Sequence, residues 1–232
     1  MVPLPDRISY NTAIKAMSQC NNGNAEQAEN LLKMLESRSM TDRDFSPDVY
    51  TYTAVISAHG RSNAHDKAQR AFAVLGRMIA SHHNGNISAK PNTTAFNAAL
   101  NSCAFVDGDS GVRLEAFNVV LAVMGLLKKL AKPDHTTYGT VLRACSTLLP
   151  ATDARRKRVV ESIFRLACQE GLVSKLVVTQ LRFAASPDQY QTLLGIPIED
   201  SSCVSLHDLP QEWTCNVREN AKFRYRPRRP ST

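Results

Sequence analysis

The sequence lacks the short motifs of several common enzyme classes and the long apolar segments of membrane proteins. It contains no G-x-x-x-x-G-K-[ST], no H-E-x-x-H and no G-x-S-x-G. We therefore expect no phosphate-cradling loop, no zinc-protease helix and no serine-hydrolase elbow. No uninterrupted apolar run approaches the roughly 18 residues that a membrane span needs. Neither a membrane nor a small-molecule substrate is expected as a partner.

Cysteine is present, but not in the spacing of a metal site. The six cysteines stand far apart, with no C-x-x-C pair, at Cys20, Cys103, Cys145, Cys168, Cys203 and Cys215. This spacing argues against a zinc knuckle and provides no disulfide framework. We expect free thiols in a reducing compartment, and we expect neither a metal nor another cofactor.

Targeting signals are also not visible at the amino terminus. A secretory signal would show a charged region followed by an apolar stretch, and an organelle transit peptide would show a long Arg- and Ser-rich amphipathic leader. The first residues have neither. The expectation is either a protein that works in the cytoplasm, where it is made, or a sequence that starts inside a longer gene product.

The net charge of +7 favours a polyanionic partner, although most of the charge lies in a tail. Residues 218–232 hold six basic side chains against Glu219 alone, a balance of +5, which leaves +2 for everything before them. In this tail, Arg224 and Arg226 alternate with the aromatic residues Phe223 and Tyr225. That mixture suits phosphate contact and base stacking, and a flexible solubilising end is the alternative.

A repeated segment organises the larger part of the chain. Four stretches consist of Pro-Asp or Pro-Asn, three further residues, an aromatic residue and an apolar helix. The aromatic residues are Tyr10, Tyr52, Phe96 and Tyr138, at separations of 42, 44 and 42 residues. A fixed period of this kind predicts a solenoid that is built from one supersecondary unit.

Each repeat has the pattern of two amphipathic helices. In the first helix of the second repeat, an aromatic, two aliphatic residues and His59 fall at i, i+3, i+4 and i+7, which makes one face. Met17, His59, Cys103 and Cys145 share the last of these positions, so we interpret them as core residues. Each helix pair has one apolar face left to bury, and stacking of the pairs predicts an all-α solenoid.

The boundaries follow from the period. We predict repeats at 5–48, 49–92, 93–134 and 135–175, a capping helix at 176–186, an irregular packed extension at 187–217 and a basic tail at 218–232. Within the extension, a segment that ends at Trp213 is expected to lie back on the last helices, since a lone Trp is rarely left fully exposed.

Three repeats have an aromatic residue followed by Asn or Thr. A Gly-x-x-x-x-Ala follows later, and a Pro-Asp or Pro-Asn closes the unit. In these features the chain resembles the pentatricopeptide repeat family. The resemblance covers residues 5 to about 175. It departs from the family in length, because a family unit has about 35 residues and these have 42 to 44. Polar insertions in surface turns account for the difference, because lengthening a surface loop costs little stability.

The resemblance implies residues that read RNA. In the family, each repeat reads one base with the residue after the aromatic and the last residue of the repeat. Carried over, the pairs are Asn11 with Asp48, Thr53 with Asn92, and Asn97 with Asp134. In the family, Asn with Asp resembles a uracil reader and Thr with Asn an adenine reader, and the base of the second repeat lies 5′ of the base of the third.

The fourth repeat departs from this pattern, and the other three admit a structural interpretation. Gly139 and Lys175 occupy the two positions in the fourth repeat, and Gly has no side chain with which to read. Asp48, Asn92 and Asp134 would be good N-caps whether or not RNA binds. Asn11, Thr53 and Asn97 fall in a first turn, where polar surface residues are common.

Several basic residues are candidates for contact with the RNA backbone. They are Arg61, Arg155, Arg156, Lys157, Arg158, Arg224 and Arg226. The four consecutive cations from Arg155 open a helix, where they oppose the helix dipole, and a phosphate would relieve that cost. A solvated helix face is the alternative.

These observations together predict a non-catalytic protein that binds single-stranded RNA. The family's nuclease relatives use clustered aspartates, whereas the acidic residues after the array are scattered. The resemblance implies organelle RNA processing or stability, in a mitochondrion or plastid. Three readable positions match by chance about once in 64 nucleotides, so further repeats or a protein partner would be needed to define one transcript. The alternative is a protein-interaction scaffold of the tetratricopeptide type, which would have no reason to keep the paired Asn or Thr and Asp or Asn.

Overall fold

The structure is a computed structural model that describes residues 5–19, 24–195 and 204–217. Within these ranges the chain forms eleven α-helices and three single-turn 3-10 helices, and it contains no strand. The all-α architecture that the repeat predicts is therefore confirmed for the described part of the chain.

The helices follow one another as pairs, which we call units 1 to 5. The first helices of the units are α1 (Arg7–Gln19), α3 (Val49–Arg61), α5 (Thr93–Ala104), α7 (His135–Leu148) and α9 (Lys175–Ala184). The second helices are α2 (Ala25–Ser39), α4 (Lys67–His83), α6 (Ser110–Leu130), α8 (Ala154–Gln169) and α10 (Pro187–Leu194). A short helix, α11 (Gln211–Thr214), follows, and the 3-10 turns are Arg43–Phe45, Ile87–Ala89 and Leu206–Asp208.

The Asp or Asn of each Pro-Asp or Pro-Asn pair is the N-cap of the first helix that follows it. The Asp48 carboxylate accepts the backbone N–H of Thr51 at 2.9 Å, and the Asn92 side chain accepts that of Ala95 at 3.0 Å. Asp134 accepts the N–H of Thr137 at 2.8 Å and takes part in a full capping box. Each bond satisfies a backbone donor that the first turn leaves without a partner. The predicted capping role of these residues is confirmed.

The first helices form the inner layer of the array. Each one packs against the first helices of the neighbouring units, from α1 through α9, whereas α2 and α4, and likewise α6 and α8, share few contacts or none. Helices that approach more closely lie on the inside of a curved stack. The exposed side of the first-helix layer is therefore the wall of a groove that runs along the array.

The stripe residues predicted from the period form the core. The four repeated aromatic residues are buried, as are His59, Cys103 and Cys145 at the last stripe position. Burial of one such ring contributes about 1.5–3 kcal/mol. Burial also raises the pKa of the Cys103 and Cys145 thiols to about 12, which is the property of inert core cysteines.

The carboxyl-terminal boundaries differ from those that the sequence predicts. The helix expected to be a simple cap is α9, which continues the row of first helices by packing on α7. The stretch expected to be irregular contains α10, because Pro187 is favourable in a first turn and the Ser186 hydroxyl accepts the Gln189 N–H at 3.3 Å. The ring of Trp213 meets Phe164 edge-on, with centroids 5.8 Å apart, so the end of this stretch does lie back on α8.

Helix α6 is long and apolar enough to cross a membrane by length and composition alone, with a mean hydropathy of 1.5. A search for uninterrupted apolar runs misses it, because Arg113, Glu115 and Asn118 break the run. Its buried side packs against α4, α5 and α7, and a helix within a helical core commonly meets the same criterion. The property is weak evidence for a membrane segment.

Candidate nucleic-acid interface

In unit 3, the two side chains that the sequence pairs are hydrogen-bonded to each other. The Asn97 amide donates to Asp134 Oδ1 at 3.0 Å. The Thr137 hydroxyl donates to Asn97 Oδ1 at 2.7 Å and lies 3.0 Å from Asp134 Oδ1. Thr137 is fully buried, whereas Asn97 and Asp134 are half-buried. A buried hydroxyl thus fixes the orientation of an amide and a carboxylate at the groove surface.

Unit 1 repeats the threonine link, in the first turn of α3, without the direct bond between the amide and the carboxylate. The Thr51 hydroxyl donates to Asn11 Oδ1 at 2.6 Å and lies 2.9 Å from Asp48 Oδ1. Thr51 is buried, and Asn11 and Asp48 are half-buried. The same three residue types therefore meet at the same register in two units whose sequences otherwise differ.

Unit 2 is built differently, as its different residue pair suggests. The residue in the place of the bridging threonine is Ala95, so no hydroxyl joins the two reading positions. The Thr53 hydroxyl donates instead to the Val49 carbonyl at 2.6 Å. Asn92 is exposed, and its side-chain oxygen accepts the Ala95 N–H, which leaves the amide nitrogen available as a donor.

A recess of about 590 Å³ brings the reading positions of units 1 and 2 together. Asn11, Thr53 and Asn92 all line it. Two apolar side chains, Ile8 of α1 and Tyr50 of α3, also line it, and Tyr50 is 81% exposed. An amphipathic ring beside convergent polar groups is a surface on which a flat, partly polar ligand can stack.

A comparison with protein families finds one similarity. Residues 37–104 match the model described as Pentatricopeptide repeat domain, a stretch that runs from the end of α2 through unit 2 to the end of α5. This part of the chain is therefore similar to a pentatricopeptide repeat domain. No curated protein and no solved structure matches the chain. The repeat family indicates RNA binding in general, and its all-helical arrays are typically non-catalytic.

In unit 4, close packing takes the place of the side chain that the sequence pairs in units 1 to 3. A Cβ atom at Gly139 would lie 2.7 Å from the Leu176 side chain, so a larger residue would require that side chain of α9 to shift. The cap of α9 is Ser174, whose hydroxyl accepts the Val177 N–H at 3.4 Å. Ser174 thus occupies the place that Asp48, Asn92 and Asp134 have in the earlier units. The sequence comparison between repeats had put Lys175 there.

Two of the basic residues proposed for the RNA backbone donate hydrogen bonds to the protein's own carbonyl groups. Arg61 donates to the Ser18 carbonyl at the end of α1. Arg156 donates to Phe183 O at 2.7 Å, Ala184 O at 2.8 Å and Leu149 O at 3.0 Å. We therefore assign Arg156 to the fold.

The other members of that basic cluster lie far from the reading positions. Arg155 pairs with Asp153 at 2.7 Å, and Lys157 and Arg158 are exposed on α8. These residues lie at the start of α8, which follows the carboxyl end of α7. The 14 residues of α7 place that end about 21 Å along the helix axis from the N-cap of α7. Arg224 and Arg226 lie outside the described residues.

Two side chains of the site, Thr51 and Thr137, were not singled out from the sequence. Each stands three residues after the capping Asp, where Thr is easily taken for a simple helix-start residue. A threonine stands at this position in both units with an Asn–Asp pair, and Ala95 stands there in the unit with a Thr–Asn pair. This correlation is the signal that could have identified the threonine. Within the described ranges, no group of three or more His, Cys, Asp or Glu side chains is placed to hold a metal ion.

Proposed function

We propose that this chain binds single-stranded RNA along the first-helix layer, with one base for each of units 1 to 3. In this proposal units 1, 2 and 3 read uracil, adenine and uracil, in the 5′ to 3′ direction. The observation that supports it is the Asn–Thr–Asp hydrogen-bond network, which occurs in both Asn–Asp units and is missing from the Thr–Asn unit. A helix cap alone needs no such link to a residue on the preceding first helix.

The unit 3 network leaves groups that complement uracil. One amide N–H of Asn97 is used on Asp134 Oδ1, so the second N–H and the other carboxylate oxygen remain for a ligand. They present a donor beside an acceptor. The edge of uracil presents a carbonyl oxygen beside an N–H, which pairs with them in order. Because Thr137 holds the Asn97 oxygen, the amide cannot flip and reverse this pattern.

Unit 2 presents groups that complement adenine. The Thr53 proton is donated to Val49 O, so the Thr53 oxygen faces the recess as an acceptor. The amide nitrogen of Asn92 is a donor. An adenine amino group can donate to Thr53 while its ring nitrogen accepts from Asn92. In this geometry Tyr50 offers a ring for the neighbouring base to stack on.

The biological role in this proposal is organelle RNA processing or stability, in a mitochondrion or a plastid, as the family resemblance implies. A non-catalytic array acts by covering a single strand or keeping it unpaired. With only three readable positions, the chain would need further repeats or a protein partner to select one transcript.

Selection from a randomised RNA pool tests the proposal. We expect the strands retained by the protein to share U-A-U, with single-stranded RNA bound in preference to a duplex of the same sequence. Recovery of no shared motif, or of motifs unrelated to these three bases, would contradict one-base-per-repeat reading. If no RNA were retained at all, the protein-interaction scaffold would become the better interpretation.

A further inference from the structure

The exposed aromatic side chains of the described residues belong to the first helices or to their ends. In the described ranges, three are exposed, namely Tyr50, Phe105 and Phe183, and all three belong to the first-helix layer or its end. The aromatic residues of the second helices, by contrast, are buried or half-buried. Tyr50 lines the recess already described, but Phe105 and Phe183 have no place in the reading sites of units 1 to 3.

Phe105 forms a stacked pair with an arginine of the next unit. The Arg143 guanidinium lies over the Phe105 ring, 5.1 Å from its centroid. Arg143 Nε also donates to the buried Gln180 side chain on α9 at 3.4 Å. The cation is therefore held from both sides, by α5 and by α9. It retains a charged, planar group on the groove surface.

Phe183 belongs to the next first helix, α9. It stands nine residues after the cap of α9, as Arg143 stands nine residues after the cap of α7, so the two occupy the same register on neighbouring first helices. Phe183 is 64% exposed and Phe105 is 48% exposed. An Arg together with two exposed rings on neighbouring first helices has the composition of sites that stack bases without reading them.

Two members of this cluster, Arg143 and Phe183, lie beyond units 1 to 3 along the groove. Phe105 lies at the end of unit 3, eight residues after Asn97, which is about 12 Å along the axis of α5 and so across the groove. Arg143 and Phe183 belong to units 4 and 5, where Gly139 and its close contact with Leu176 leave no reading side chain. In the proposed direction of the strand, the nucleotides that pass here are those 3′ of the last base that is read.

We propose that Phe105, Arg143 and Phe183 form a stacking platform for nucleobases on the 3′ side of the U-A-U site, with no sequence preference. The inference rests on the proposed function. Rings contribute stacking on any base, because every base has a π face, and Arg143 contributes both stacking and attraction to the phosphates. The platform would supply affinity where the reading positions supply specificity.

The test compares RNAs that end at the last read base with RNAs that carry a 3′ extension of about four nucleotides, which is the smaller site size of single-strand binders. A second extension with abasic sugars keeps the phosphates and removes the bases. The proteins are wild type, Phe105→Leu, Phe183→Leu and the double variant, with Leu121→Ala as control. Leu121 is 49% exposed, similar to Phe105, but lies on the second helix α6. Leucine keeps apolar bulk, so these variants should fold.

We expect the normal extension to raise wild-type affinity by at least about fivefold for each stacked base, and the abasic extension to raise it much less. The double variant should lose that gain, while the Leu121→Ala control keeps it. A 2-aminopurine in the extension should be quenched on binding to wild type only. An extension gain that persists in the double variant, or that is equal for abasic RNA, would overturn the platform. Preference for U-A-U in the short RNA is scored separately, and its loss would instead refute the proposed function.

Discussion

At the scale of single residues, the bridging threonines separate two kinds of reading site. Thr51 and Thr137 donate a backbone N–H to the capping Asp and a hydroxyl to the Asn of the preceding first helix, whereas Ala95 can make only the backbone bond. In the proposed function, a reading site therefore consists of three residues. The two-residue code carried over from the family identifies which bases to test, and the third residue explains how the amide is kept in one orientation.

His59 gives a second residue-scale prediction, which concerns stability and pH. It is buried, with Nε2 3.0 Å from a Glu29 carboxylate oxygen. Burial lowers the pKa of His59, and the Glu29 charge only partly opposes that effect. The unfolded chain therefore binds the proton first as the pH falls below about 6.5, so stability is lost in that window. We expect His59 to account for up to about 1 kcal/mol of the stability lost between pH 7.5 and 5.5.

The matched variant is His59→Cys, because cysteine stands at this position in units 3 and 4. Denaturant unfolding at pH 7.5 and 5.5 should show a smaller loss for the variant than for wild type. Equal losses in the two proteins would mean that His59 does not carry the pH dependence.

At the scale of elements, Arg156 joins the last two units. Its guanidinium, from the first turn of α8, donates to carbonyl groups at the carboxyl ends of α7 and α9. A cation at two helix ends is favourable for both dipoles, and it satisfies carbonyls that have no partner within their own helices. The clamp therefore holds the carboxyl ends of α7 and α9 together, whereas Gly139 meets Leu176 near their amino ends.

We predict that Arg156→Lys destabilises the protein by about 2 kcal/mol, because a lysine cannot make the forked set of hydrogen bonds. Hydrogen exchange should become faster in α9 and α10 before it does so in α3 and α5. Arg158→Lys, an exposed neighbour on α8, is the control and should have no effect on either measurement. If Arg156→Lys left stability intact but weakened RNA binding, Arg156 would be a residue that contacts the RNA phosphates and not one that holds the helices together.

At the scale of the whole molecule, the parts that could be predicted are those with a local cause. The period, the apolar stripes and the caps Asp48, Asn92 and Asp134 depend on residues within a few positions of one another, so the sequence alone was sufficient for them. The clamp by Arg156 and the packing of α9 at Gly139 join residues from separate helices. They depend on how closely two units approach, which no spacing in the sequence reveals. The helix α10 was missed because its eight residues show too short a pattern.

The central claim is that the paired residues read bases, and exchange of a whole reading site tests it most directly. Asn97→Thr, Asp134→Asn and Thr137→Ala together convert unit 3 to the residues of unit 2. Asn remains a good cap, so the helix should still form, and Thr137→Ala alone serves as the control for lost packing. Affinities are measured for RNAs that differ only at the base of unit 3. The account predicts a switch from uracil to adenine at that base alone, with about 1–3 kcal/mol lost against the original RNA. A folded triple variant that kept its preference for uracil would contradict it, and these residues would then be helix caps and surface only.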